Sequence, residues 1–337
     1  MIEGKKVTAR NYAAQAEAEL RETLKLYTPG YNEVDRSCLE WLCNSIANSV
    51  HFAIPDNGEI FDDDLKGLEG VDLSLPYPQI TLEYFVERNE ELLFGEASEY
   101  SPKRLVYLQS MNLEQLAKAR KNTAMLYDES RIFPEANSTK LEGDEFLFIA
   151  VACVTRGIWR PMPWTFLMQC QSWRKPEDGA AAIAGERGFL LPQFASQRIQ
   201  QIGKDAVIRS MNLDIGPELR AALEFIEAMS CSNIVEKTHE PAASPTVNAK
   251  RVKRGKLPIS ETKTLTIDPT WLERYKHRAS NSGGGRASPR FHFRRAHTRI
   301  LNRGTPEQRS IRIPRLEIGD PSLGTITKNY RIQKKGK

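Results

Sequence analysis

The sequence predicts an α+β protein, with a mixed helix and sheet body at the N-terminal side and a small, basic, mostly β module at the C-terminus. Three observations predict it. Apolar residues recur at helical spacing near the N-terminus, they alternate at strand spacing from Leu75 onward, and charge divides between two parts of the chain. Residues 248 to 337 hold 23 of the 48 Lys and Arg but 6 of the 43 Asp and Glu, a net charge of +17 that leaves −12 on residues 1 to 247. A chain of 337 residues is long enough for two domains. Composition sets their bounds as an acidic body over 1–231, a polar to basic linker over 232–256 and a basic β module over 257–337.

Over residues 7–28, Ala13, Ala16, Leu20, Leu24 and Tyr27 recur every three or four residues and Pro29-Gly30 ends the pattern, so a helix is expected. Leu39, Leu42, Ile46 and Val50 repeat the spacing over 33–51, a second helix that completes a hairpin. The acidic Asp62-Asp63-Asp64 reads as a solvated loop. After Pro76-Tyr77-Pro78, Ile80, Leu82, Tyr84 and Val86 alternate with Thr81, Glu83 and Phe85, which describes a strand. A second strand is expected over 104–109 and a helix over 112–127. Trp159, Trp164 and Trp173 lie among apolar residues and arginines. Such rings can stack on bases, but packing in the core of a sheet is their commoner role. A short strand at 189–191 precedes a helix over 217–229, where Pro217 suits a first helical turn. Residues 232–256 carry no apolar period and read as the linker. Thr262 to Ile267, Ser310 to Ile318 with its interrupting Pro314, and Gly324 to Ile332 supply the strands of the module.

The five cysteines are odd in number, scattered and never form a C-x-x-C pair, the usage of free thiols in a reducing cytoplasm. The longest apolar run, Phe146 to Val154, is too short to span a bilayer, so a soluble, unsecreted protein without a membrane partner is expected. The P-loop, nucleophile-elbow and dinucleotide-binding motifs are absent, and Gly283-Gly284-Gly285 lacks the apolar helix of a phosphate loop and reads as a hinge. No cofactor or metal is expected.

The densest chemistry lies in residues 286–303, where eight Arg and His side chains crowd around Phe291 and Phe293. Like charges at this density repel one another unless an anion lies against them, which points to a phosphate backbone of RNA or DNA. The candidate contacts are Arg290, His292, Arg294, Arg295, His297, Arg299 and Arg303. In an extended segment Arg290, His292 and Arg294 share one face while Phe291 and Phe293 face the core; a helical geometry is the other option. Arginine suits the role because its planar fork binds phosphate oxygens in pairs. His292 and His297 are also candidate catalytic residues, because two imidazoles among arginines resemble the acid and base of a metal-independent ribonuclease.

The segment Ser288-Pro289-Arg290-Phe291-His292-Phe293-Arg294-Arg295-Ala296-His297-Thr298-Arg299 resembles the SPR-x-H-x-R-R-G-H-x-R run of a family of uncharacterised bacteriophage and prophage proteins. Gly324-Thr325-Ile326-Thr327-Lys328-Asn329-Tyr330, the basic stretch Asn248 to Pro258 and the stretch Leu75 to Tyr84 are similar to further segments of that family. Ala296 stands where glycine is usual, which speaks against a tight left-handed turn there. The resemblance implies a phage or prophage origin and a bacterial host cytoplasm, and brings no activity or catalytic residue with it. The reading is a phage-encoded nucleic-acid-binding or host-interaction protein, favoured over an enzyme. The alternatives are the ribonuclease-like enzyme and an inhibitor whose acidic body binds a host protein.

Overall fold

The computed structural model describes residues 6–27, 33–61, 75–86, 100–112, 114–115, 145–155, 157–169, 185–281, 290–294, 297–303, 305–313, 316–318 and 320–325. The fold is α+β. Helix α1 (Tyr12–Leu24) buries Ala13, Ala16 and Leu20, and α2 (Glu33–Ala47) buries Leu39, Leu42 and Ile46 against the same apolar cluster, as the helical stripes predict. The expected extension of α2 to 51 does not form. Val50 fits the helical period, yet it opens strand β1 (Val50–Ala53), where its partner position is Ile80 of β2 (Gln79–Phe85).

The centre is an eight-stranded sheet in the order β6-β5-β4-β3-β2-β1-β8-β7, completed by β3 (Tyr100–Asn112), β4 (Glu145–Thr155), β5 (Ile158–Gln169), β6 (Gly185–Phe189), β7 (Ile234–Glu240) and β8 (Thr262–Ile267). Strand β1 runs parallel to both neighbours and the remaining pairs are antiparallel. Alternate residues of β3 and β4 enter opposite layers. Leu105, Tyr107, Phe146 and Phe148 pack with α1 and α2, whereas Val106, Leu108, Leu147 and Ile149 pack with Leu219, Ala222, Phe225 and Ile226 of helix α4 (Lys204–Ser230). Burial on both faces explains why β4 reads as an apolar run rather than an alternation. Trp159 and Trp164 are buried in β5, as core packing predicts, while Trp173 lies outside the described residues.

Expected to begin near Pro217, α4 starts at Lys204 and carries Pro217 inside it. Proline removes one helical hydrogen bond, and the buried residues that follow it, Leu219 and Ala221 to Ala228, hold the helix against the sheet. Helix α3 (Pro192–Ile202), absent from the sequence reading, begins where Asp35 of α2 accepts the Gln193 N–H at 2.9 Å and the Phe194 N–H at 3.0 Å. That cap comes from a residue far away in sequence, so no local capping motif announces it. Asp62–Asp64, residues 116–127 of the expected helix and Gly283–Gly285 lie outside the described residues.

The linker expected over 232–256 is instead structured. It contains β7, which pairs with β8, and helix α5 (Pro245–Lys253), while β8 pairs with β1 of the body. The boundaries drawn at 231/232 and 256/257 therefore fall within one sheet. Helix α6 (Pro269–Asn281) follows, with Trp271 stacked on Tyr275. Trypsin has exposed sites at Lys250, Lys253, Arg254 and Lys256, and cutting there is expected to leave two fragments that co-elute on native size exclusion and part only in denaturant. Separation without denaturant would show that the C-terminal part stands alone.

Cys38, Cys43, Cys153 and Cys231 are free and buried, and Cys170 lies outside the described residues. Burial pushes the Cys43 thiol up to about 11 and the Cys231 thiol up to about 12, so neither is a thiolate at neutral pH. Among the described residues no helix is long and apolar enough to cross a membrane.

Candidate nucleic-acid interface

The basic segment is extended, one of the two geometries its sequence allows. It forms β9 (Arg290–Arg294) and β10 (His297–Leu301), which belong to different sheets. Strand β10 pairs antiparallel with β11 (Arg309–Ile313), and β9 lies between β12 (Leu316–Ile318) and β13 (Asp320–Thr325). Strands β11 and β12, expected as a single edge or bulged strand, belong to different sheets.

The β10–β11 register sorts its side chains. Thr298 lies opposite Arg312 and Ile300 opposite Ser310 on one face; His297 opposite Ile313, Arg299 opposite Ile311 and Leu301 opposite Arg309 make the other. The first face docks on the body. The Thr298 hydroxyl donates to Glu227 of α4, and Arg312 Nη1 donates to the Thr298 oxygen at 3.2 Å. The Arg312 guanidinium carbon lies 3.8 Å from the centroid of the Phe61 ring. Asn233 grips the Arg312 backbone in both directions, accepting its N–H and donating to its carbonyl, each at 2.7 Å. Ser232 adds a backbone N–H to the Ser310 carbonyl at 2.9 Å. Arg312 is 1% exposed, Asn233 2% and Glu227 3%, so the hairpin is clamped by a buried polar cluster. One cation of the basic C-terminal part is thus an internal anchor.

Arg299 and Arg309 of the second face are exposed and His297 is half-buried. Arg303 is exposed in the connecting turn, which Asn302 enters with a left-handed φ of 52° and which the Thr305 N–H closes onto the Asn302 carbonyl at 3.1 Å. Among the described residues Arg299, Arg303 and Arg309 make no ion pair and no side-chain hydrogen bond. Arg309 was missed by the sequence reading; its signal is the strand alternation that puts it on the same face as Arg299. No family model, curated protein or solved structure matches the chain.

The other candidates divide. Arg290, His292 and Arg294 occupy alternate positions of β9, and Asp320 of β13 is in register with Arg290. Arg295 lies outside the described residues. His292 and His297 are on strands of different sheets. Among the described residues no group of three or more His, Cys, Asp and Glu side chains could hold a metal ion.

Proposed function

We propose that the chain binds the phosphate backbone of nucleic acid through the outer face of the β10–β11 hairpin. The observation that carries this reading is the sorting of one hairpin's cations: Arg312 is buried in the anchor, while Arg299, Arg303 and Arg309 face solvent without a carboxylate partner among the described residues. Exposed, unneutralised guanidinium groups on a rigid support hold an extended anion without reading its sequence. The likeness to phage and prophage proteins supports a phage-encoded factor at work in the bacterial cytoplasm.

Each phosphate contact releases condensed counterion, so log affinity falls against log salt by roughly 0.7 per contact on single strands and 0.9 on a duplex. Replacing both Arg299 and Arg309 by Ala is expected to reduce that slope by about 1.4 to 1.8, similarly for unrelated sequences. A full-length protein that binds no DNA or RNA at low salt, or binds it without salt dependence, would put the host-protein inhibitor first. RNA incubated with the protein and a chelator is expected to stay intact. Cleavage that disappears in His292→Ala would instead favour the ribonuclease reading.

A further inference from the structure

Helix α5 is an excursion between β7 and β8 that the core does not require, since none of its residues is buried. Nine residues are too few for a helix to persist by itself in water, and polar contacts hold this one at its start and along its base. Ser244 caps its start by accepting the Val247 N–H at 3.3 Å, Pro245 occupies the first turn, and Gly255 closes the far end with a left-handed φ of 66°. Asn248 and Arg251 turn inward. Asn248 accepts the Ile259 N–H at 2.9 Å and donates to the Ile259 carbonyl at 3.1 Å, and Arg251 Nε donates to the Leu257 carbonyl at 2.8 Å. Asn11, beside α1, donates to the Pro258 carbonyl at 3.0 Å and ties the base of the excursion to the body.

With Asn248 and Arg251 directed to the base, helical spacing puts Thr246, Ala249, Lys250 and Lys253 on the outward side. Arg254 and Lys256 follow at the C-terminal end, where the helix dipole favours cations. Lys250, Lys253, Arg254 and Lys256 are exposed and make no ion pair or side-chain hydrogen bond among the described residues. No Asp or Glu occurs between Glu240 and Glu261. Val247 and Val252 are 46% and 60% exposed, so the flanks of the helix are open as well.

We infer that α5 is a second contact element, docking along the major groove of duplex DNA with Lys250, Lys253 and Arg254 on the flanking phosphates; this rests on the nucleic-acid reading of the hairpin. A helix with its side chains is about 10–12 Å across, which matches the roughly 12 Å major groove of B-form DNA. The deep, narrow major groove of A-form RNA does not admit it. Small Thr246 and Ala249 on the outward side permit close approach, and the tied base presents the helix already formed, so little ordering entropy is lost on binding.

The test compares the full-length protein, a Lys250→Ala/Lys253→Ala/Arg254→Ala variant and the Arg299→Ala/Arg309→Ala variant on a short DNA duplex, an RNA duplex of equal length and a single strand. The altered α5 side chains make no internal bond, so an unchanged melting curve is expected for the first variant. Its salt slope on duplex DNA is expected to fall by about 2.7, three contacts' worth, with the wild type preferring duplex DNA to duplex RNA. Unaltered affinity and slope in the α5 variant, with loss in the hairpin variant, would overturn the role of α5 and leave the hairpin reading intact. Equal wild-type affinity for RNA duplex or single strand would overturn the choice of duplex DNA. Absence of any nucleic-acid binding by the wild type would remove both readings.

Discussion

Replacing Arg312 by Ala is expected to destabilise the protein by about 1–3 kcal/mol, the cost of leaving a buried hydrogen-bonding group without its partner. The guanidinium group is 1% exposed, lies on the Phe61 ring and donates to Thr298, whose own hydroxyl is bonded to Glu227. Removing it leaves the 3% exposed Glu227 carboxylate without that nearby positive charge and leaves a void against Phe61. The two bonds between Asn233 and the Arg312 backbone survive the change, so the loss belongs to the side chain. Urea unfolding reads it as a lowered midpoint with an unchanged m value. Arg312→Met separates the causes, because it refills the space on Phe61 without restoring charge. Recovery of most of the stability by Met would show that packing dominates, and an Ala variant within about 0.5 kcal/mol of wild type, the usual range for a surface change, would show that the cluster is no anchor.

The second large effect is expected at Glu83. This side chain is 3% exposed in β2, and its two oxygens accept the Arg10 N–H at 2.7 Å and the Tyr12 N–H at 2.6 Å, so it caps the start of α1 from a distant strand. Gln has one acceptor oxygen, and its amide nitrogen then faces a backbone donor. An unsatisfied buried group costs about 1–3 kcal/mol, which is the expected loss in Glu83→Gln. Burial raises the Glu83 carboxyl above its ordinary value, opposed by the backbone N–H groups. A raised carboxyl binds its proton more tightly when folded, so its contribution is full below the unfolded value and fades as pH rises through the folded one. The deficit of Glu83→Gln relative to wild type is therefore expected to widen as the pH is lowered from neutral toward the ordinary carboxyl range. Paired melts of the two proteins across that range check it, and a gap that narrows toward acid would contradict the burial argument.

Much of the fold was legible where an element buries a periodic face. The stripe of α1 and the alternation of β2 each carry their own evidence, because water excludes one side of the element and local sequence must supply the apolar residues there. Elements that bury little were not legible. Strand β7 is an edge strand whose exposed residues show no clean alternation, and it exists through pairing with β8. Helix α5 buries nothing, so it has no stripe to detect and reads as a linker. At the site, the basic character of 286–303 was plain from composition, but Arg309 was missed and Arg312 looked no different from its neighbours.

By itself the sequence determined the α+β class, the separation of acidic and basic charge and the extended option for the basic segment, because each follows from residue types and short-range periods. Only the tertiary structure decided which cations are available. Arg312 turns inward because Thr298 meets Glu227 of α4 and Asn233 holds its backbone, contacts between residues more than seventy positions apart that no local pattern encodes. Likewise β8 joins the body because its backbone donors and acceptors find β1, a pairing made by hydrogen-bonding groups that every residue type except proline shares.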